Sequence, residues 1–266
     1  MVITFLTDFG LRDDFVGTCK GVIKRIAPDA EVIDITHGID PQDVLQGALV
    51  LADTLPYMPE GVHLAVVDPG VGSDRRGVAL AGAGGRFYVG PDNGLLLGAT
   101  ERLGGISGAH ELVNEAYRLQ PVSRTFHARD VFAPAAAHLA CGVEPAELGP
   151  AIDVSTLVRL DVPEPSVAPG RIRATVLYVD RFGNVRLSLS REQLERAGIA
   201  EGAKVELELS GERGAAVVAR TFGDAAPGEL LLYEDAYRRL AIAVNGGDAA
   251  ERLGARPGLH VEIRGC

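Results

Sequence analysis

His63-Leu64-Ala65-Val66-Val67-Asp68-Pro69-Gly70-Val71-Gly72-Ser73-Asp74-Arg75 is the stretch that decides the fold. The run from His63 to Val67 has the composition of a buried strand, and it stops at an aspartate, a proline and two glycines. Proline fixes φ and lacks an N–H, while glycine reaches backbone angles that other residues avoid. A tight turn therefore follows, with Asp68 at the carboxyl end of the strand. In open α/β sheets that edge is where ligands bind. Arg75 lies at the far side of the same loop, so a carboxylate and a guanidinium can be presented together. The plain alternative is a polar turn with an exposed ion pair, which contributes little.

Upstream, Val2 to Leu6 and Glu31 to Ile35 also read as strands. Between them Phe15, Val16, Cys19, Val22, Ile23 and Ile26 show helical spacing, closed by Pro28. Asp13 and Asp14 precede that helix and suit its N-terminus. Val44, Leu45, Ala48, Leu49, Leu51 and Ala52 form a second helical pattern. Strand, helix, strand, helix, strand implies parallel pairing through right-handed crossovers, with Asp8, His37 and Asp68 along one edge. Downstream, Val78 to Ala81 and Phe87 to Val89 flank Gly82-Ala83-Gly84-Gly85, a hairpin-like turn. No helix follows those glycines, so they do not form a dinucleotide-binding loop. Thr125-Phe126-His127-Ala128-Arg129-Asp130 leads into an alanine-rich helix, Val131 to Ala140, with Asp130 as the expected cap.

Composition shifts between Pro150 and Pro169. The prolines there mark a linker over 151–169, between a domain over 1–150 and another over 170–266. The second domain reads as short strands: Ile172 to Tyr178, Val185 to Leu189, Val205 to Leu209, Ala216 to Thr221, Leu230 to Tyr233, Leu240 to Val244 and His260 to Ile263. One short helix, Glu192 to Ala197, interrupts them, and the pattern fits a small β-barrel or a sandwich. Asp180-Arg181-Phe182-Gly183-Asn184 is a turn by composition. It also has the parts of a purine clamp, a π-face in Phe182 and a paired donor and acceptor in Asn184. Val244-Asn245-Gly246-Gly247 is a second turn whose backbone could meet a base.

The 266 residues are 47% hydrophobic, which suits a soluble globular protein. A net charge of −10 without a Lys/Arg cluster argues against a nucleic-acid partner. No stretch is long and apolar enough to span a membrane. Cys19, Cys141 and Cys266 lack metal spacing and form no disulfide framework, and the first strand starts at once, so the expected location is cytoplasmic. The histidines and aspartates show no metal-binding spacing, and the elbow of serine hydrolases is absent.

Thr7-Asp8-Phe9-Gly10, Asp34-Ile35-Thr36-His37, Pro41-Gln42-Asp43-Val44, Asp68-Pro69-Gly70-Val71-Gly72, Gly90-Pro91-Asp92-Asn93-Gly94, the segment Thr125 to Asp130 and Phe182-Gly183-Asn184 occur together and in order. In these motifs the chain resembles, nearly end to end, the S-adenosyl-L-methionine (SAM) hydroxide adenosyltransferases, adenosine-forming SAM hydrolases related to SAM-dependent fluorinases and chlorinases. The resemblance implies an N-terminal three-layer α/β domain with a largely parallel sheet, a C-terminal β-barrel, and a homotrimer with substrate between subunits. It implies the reaction of SAM with water to give adenosine and methionine, SAM being substrate, with no cofactor and no metal. The catalytic set falls on Asp68, Arg75 and His127. Asp8 falls on the ribose-binding position, and Asn184 and the Val244 backbone on the adenine-binding ones. Asp13, Asp180, Phe182, Phe222 and Tyr237 complete the expected substrate-binding set.

The halogenating relatives carry a tyrosine at the position of Asp68, and a carboxylate there repels a halide but can orient water. Two departures stand out. Ala236 and Ala241 occupy positions where the family has Ser and Glu near the methionine portion, and Ala128 replaces the glycine after the histidine. Either Arg238 or Arg239 grips the methionine carboxylate instead, or methionine binding is weak. A SAM- or adenosine-binding protein with little catalysis and a halogenase are the alternative readings.

Overall fold

The computed structural model describes residues 1–265. It divides into two compact units, Met1–Leu160 and the residues from Asp161 onward. Cys266 lies outside the described residues, and the thiols of Cys19 and Cys141 are free.

The first unit runs β1 (Val2–Thr7), α1 (Phe15–Ile26), β2 (Glu31–Thr36), α2 (Val44–Thr54), β3 (Gly61–Val66), β4 (Gly77–Gly82), β5 (Phe87–Pro91), α3 (Leu97–Arg102), β6 (Ile106–Glu111) and α4 (Ala133–Ala140). The sheet order is β2-β1-β3-β5-β4-β6. β1 pairs parallel with β2 and β3, and β3 pairs parallel with β5. β4 is antiparallel to β5 and β6. Every residue of β3 is buried, as expected of a central strand covered on both faces. Its side chains alternate between two cores. Val62, Leu64 and Val66 pack with α1 and α4, and Ala65 and Val67 pack on the side of α2. The alanines of α4 let its backbone lie close to the sheet, and Ala133, Ala135, Ala136 and Ala137 are all buried. Three layers result, as the resemblance implied.

Chain order reverses between β1 and β3, so the crevice at their carboxyl ends is a topological switch point. Asp8 follows β1 and Asp68 follows β3 closely. α3 and β6 lie in a segment that the sequence pattern left unread.

The second unit runs β7 (Ser166–Ala168), β8 (Arg171–Val179), β9 (Val185–Leu187), α5 (Arg191–Arg196), β10 (Lys204–Leu209), β11 (Glu212–Ala219), β12 (Leu230–Glu234), β13 (Leu240–Val244), α6 (Ala249–Leu253) and β14 (His260–Gly265). Pairing of β14 with both β10 and β8 closes a seven-stranded barrel, which removes sheet edges and decides against a sandwich. Val205, Leu207, Ile242, Val261 and Ile263 fill its interior. The sequence pattern starts the second of the central strands at Ala216, but β11 begins at Glu212, one two-residue turn after β10. Ser210 and Gly211 both have positive φ in that turn, which matches the twist of a tight hairpin. The proline-rich stretch is partly structured. β7 pairs with β8, and Ala151 bridges to His110 in the first unit's sheet.

Candidate active site

The loop after β3 is built from two overlapping turns. Val71 N–H donates to the Asp68 carbonyl and Ser73 N–H to that of Gly70. Gly72 has φ +81°, and a Cβ there would lie 2.6 Å from the Arg124 carbonyl oxygen. Only glycine allows this loop to touch the segment that carries His127. Asn93 fixes the end of the strand by donating from Nδ2 to the Val67 carbonyl at 2.8 Å. Asp92 in the same turn takes Arg76 at 2.6 Å and the Val158 N–H at 2.9 Å.

Arg75 folds back on Asp68 in a forked contact. Its Nε donates to Oδ1 at 2.8 Å and its Nη2 donates to Oδ2. The same Nη2 lies 2.8 Å from His127 Nδ1. A guanidinium only donates, so Nδ1 must accept and the ring proton sits on Nε2. Burial first, and then the Arg75 charge, hold the His127 pKa below its ordinary value, which keeps the ring neutral. Asp68 and Arg75 are both largely buried, so their pairing is little screened. Phe132 backs the guanidinium, 5.1 Å from ring centre to Cζ.

His127 enters a π-helical turn, Ala128–Phe132, ahead of α4. Such turns are frequent at functional sites. Asp130 does not cap the helix as its sequence position suggested. It lies inside the turn, almost fully buried, and accepts from Arg129 Nε at 2.6 Å and from Ser123 N–H at 2.8 Å. It thereby anchors the loop that delivers His127. Asp14 stands at the N-cap of α1 but makes no capping bond, and takes the Thr18 hydroxyl at 3.0 Å instead.

Asp8, Phe9, Gln42, Asp68, Phe126 and His127 are among the residues around a cavity of about 340 Å³. That size suits a small-molecule ligand. Arg75 is bound to two of the lining residues without belonging to the lining. The described lining holds two carboxylates, those of Asp8 and Asp68, and no lysine or arginine. Asp13 is exposed just before α1 and does not line this cavity. A second hollow of about 230 Å³, on the outside of the barrel, is lined by Glu206, Glu208, Glu262, Arg213 and Arg264. Its acids and arginines largely neutralise one another, with Arg264 3.4 Å and Arg213 3.3 Å from Glu208.

The remaining candidates belong to the barrel unit. Asp180 organises its turn, accepting from Phe182 N–H at 2.8 Å, Asn184 N–H at 2.9 Å and Asn184 Nδ2 at 2.7 Å. Because the carboxylate only accepts, the Asn184 amide orientation is fixed, leaving its Oδ1 and one N–H for a ligand. Gly183 has φ +78° and a Cβ there would collide with Asp248 at 2.1 Å. Phe182, a large apolar ring, is 77% exposed among the described residues. Phe222 sits 4.9 Å from the Tyr233 ring. Val244 is buried, and its carbonyl accepts from Gly247 N–H at 3.2 Å.

Tyr237 follows Asp235, whose Oδ1 takes the Tyr237 N–H at 2.8 Å. Arg186, which the sequence reading passed over, lies almost fully buried between the rings of Tyr178 and Tyr237 with Nε 3.2 Å from Asp235. Its signal was faint, a lone arginine in a strand of otherwise apolar residues. Arg238 pairs with Glu234 at 2.9 Å.

This arrangement, an acid, a guanidinium and a neutral imidazole beside a cavity at a sheet switch point, has the composition of a hydrolytic site. Family models agree. The SAM hydroxide adenosyltransferase N-terminal domain matches residues 3–149, and the C-terminal domain of the same family matches residues 174–262. A protein from Salinispora tropica named (R)-S-adenosyl-L-methionine hydrolase is 52% identical over 98% of this chain and 97% of its own length. A fluorinase from an Actinoplanes species is 32% identical over 98% of this chain and 97% of its own. The crystal structure of an uncharacterized conserved protein from Thermotoga maritima superposes with a TM-score of 0.90 at 36% identity, covering 98% of this chain and 99% of that one. The chain belongs to the SAM hydroxide adenosyltransferase family.

Proposed function

We propose that this protein hydrolyses SAM to adenosine and L-methionine by in-line attack of water on the ribose C5′. The observation that carries the reading is the meeting of Asp68, Arg75 and His127, residues up to 59 positions apart in sequence, at one cavity that also holds Asp8. In the reaction the water oxygen forms a bond to C5′ as the C5′–S bond breaks, and its electron pair neutralises the sulfonium. The leaving group is thus neutral methionine, and no cofactor or metal is required. A positive charge that disperses in the transition state is favoured by a site shielded from water.

Asp68 orients the water and takes its proton. His127 is poorly placed to do so, because its Nδ1 lone pair faces Arg75 and its Nε2 carries hydrogen. Nε2–H can instead donate to the attacking oxygen. Arg75 acts by holding both partners in register. Asp8 binds the ribose hydroxyls, and fixing the sugar in this way is worth several orders of magnitude in rate. We assign substrate contacts also to Phe182, Asn184, Phe222, Tyr237 and Val244, with Asp180 holding Asn184; Asp13, outside the cavity lining, receives no such role. Two carboxylates and no lysine or arginine in the lining disfavour a halide nucleophile. We propose the (R)-sulfonium as the substrate, a reading supported by the name of the Salinispora relative.

The proposed assembly is a homotrimer. Its support is two exposed large apolar side chains, Leu11 at 79% and Phe15, in the cavity lining, at 41%. The proposed location is the cytoplasm, supported by two free thiols, and the acidic balance supports a small-molecule partner over nucleic acid. No described helix is long and apolar enough to cross a membrane.

Incubation with SAM, followed by chromatography of the products, tests the reading. Adenosine and methionine in equal amounts are expected, and a 5′-halo-adenosine in the presence of halide is not. Retention of activity within about tenfold, about 1.4 kcal/mol, in both Asp68→Ala and Arg75→Ala overturns the assigned roles. Tight SAM binding without methionine release would instead identify a binding protein.

A further inference from the structure

His37 is buried and lies outside the cavity lining, and none of the chemistry above uses it. Its contacts converge on one neighbour of that lining. Nδ1 is 2.8 Å from the Thr7 hydroxyl. Nε2 is 3.1 Å from Asp34 Oδ1, at an angle short of a full hydrogen bond, and Lys20 holds the other Asp34 oxygen at 2.6 Å. The His37 carbonyl accepts from Gly10 N–H at 2.7 Å. The Thr7 hydroxyl in turn accepts from Phe9 N–H at 3.2 Å. One histidine thus reaches Thr7 and Gly10, which bracket Asp8 on either side.

Each atom in this chain has one available role. The Asp34 carboxylate can only accept, so the ring hydrogen belongs on Nε2 and Nδ1 accepts from Thr7. With its hydrogen given to His37, Thr7 keeps a lone pair for Phe9 N–H. The other end of the same connection holds the carboxylate itself. Gln42, five residues after His37, has φ +68°, which is uncommon for a side chain other than glycine. That conformation turns its N–H onto Asp8 Oδ2 at 2.8 Å. Asp8 Oδ1 has no hydrogen bond among the described residues and is left for a ligand. Sparsely populated backbone angles persist where the surroundings over-determine them, and they cluster at ligand clamps.

We propose that His37 is a positioning residue for substrate: through Thr7 and Gly10 it fixes the loop that aims Asp8 at the sugar diol. This rests on the reading of Asp8 as the ribose-binding group. Lys20 and Asp34 orient the ring, and Gln42 supplies the last contact to the carboxylate.

Calorimetry with adenosine and 2′,3′-dideoxyadenosine tests both layers separately, because only the first ligand carries the diol. The parent is expected to prefer adenosine by at least about tenfold, as a hydrogen-bonded charged group allows. In Thr7→Val and in His37→Leu the preference should fall below about threefold, with dideoxyadenosine affinity and melting temperature little changed. His37→Asn, whose side-chain oxygen can take the Thr7 hydroxyl, should restore it. Equal weakening of both ligands, or an undiminished preference in Thr7→Val and His37→Leu, overturns the role of His37. No preference in the parent overturns the reading of Asp8 first, and this inference with it. If His37→Leu does not fold, Thr7→Val and His37→Asn decide the question alone.

Discussion

The loop carrying Asp68 and the turn carrying Asn184 are both short, glycine-containing and polar, yet they are built differently. In the barrel turn one carboxylate, Asp180, binds residues two and four positions away. The whole arrangement is local, and it would begin to form in any chain with that sequence. In the α/β unit Asp68 meets Arg75 seven residues on, but the third partner comes from 52 residues beyond Arg75. Its position depends on the sheet, on Gly72, and on Asp130 holding the Ser123 backbone. A locally determined turn suits a task of recognition. A cluster assembled across the fold can bring together groups whose charges are too costly to gather without packing around them.

The comparison predicts where substitutions act. Asp68→Asn should lower kcat by about a thousandfold, about 4 kcal/mol, with a much smaller change in KM, as measured by product formation from SAM. A loss confined to KM would show that the cluster serves binding as the barrel turn does.

Acid should also separate the two units. His63 in β3 is fully buried, its Nδ1 2.9 Å from the Thr4 hydroxyl, and burial lowers its pKa from 6.5 to about 4. A depressed histidine pKa means that the unfolded chain takes up the proton first. Stability from this group is therefore complete above about pH 6.5 and is lost as pH falls from there towards 4, by up to about 3 kcal/mol. Denaturant titrations at several pH values should show a steeper acid loss for the parent than for His63→Val. Equal slopes would remove His63 from the account.

A smaller effect is expected at the barrel. Asp180→Ala removes the acceptor for Phe182, Asn184 and the Asn184 amide, and should raise KM and weaken adenosine binding by about tenfold, about 1.4 kcal/mol, with kcat nearly retained. A kcat loss exceeding the KM change would erase the contrast between the two regions. The smallest effect concerns His127. Its lowered pKa keeps the ring neutral, and protonation would break its acceptor role towards Arg75. The acid limb of kcat/KM should have its midpoint below 6.5, so activity should drop less than about threefold between pH 7 and pH 6. A steeper fall would mean that another group governs the limb.

Particular residues show how far sequence reading reached. β1, β3 and the barrel strands were legible because runs such as Ile3-Thr4-Phe5-Leu6 combine β propensity with a clear boundary. β6, Ile106–Glu111, was not, because its Ser107, Gly108 and His110 break the apolar pattern of a strand at the edge of its sheet, paired with β4 on one side and only by the Ala151 bridge on the other. Asp130 looked like a cap because local rules put acids before helices, and the π-helical turn moved it inside. Arg186 was invisible because its burial depends on two tyrosine rings, one of them 51 residues away.

The sequence by itself determined the two-part organisation, the strand ends that bear Asp8 and Asp68, and the family motifs, because periodicity, turn chemistry and residue identity are properties of neighbours in the chain. Tertiary structure alone decided that the barrel closes, that His127 faces Arg75 as an acceptor, and that Asp8 is held from both sides. Those outcomes depend on contacts between distant segments, whose free energy exists only once the sheet and its helices have packed.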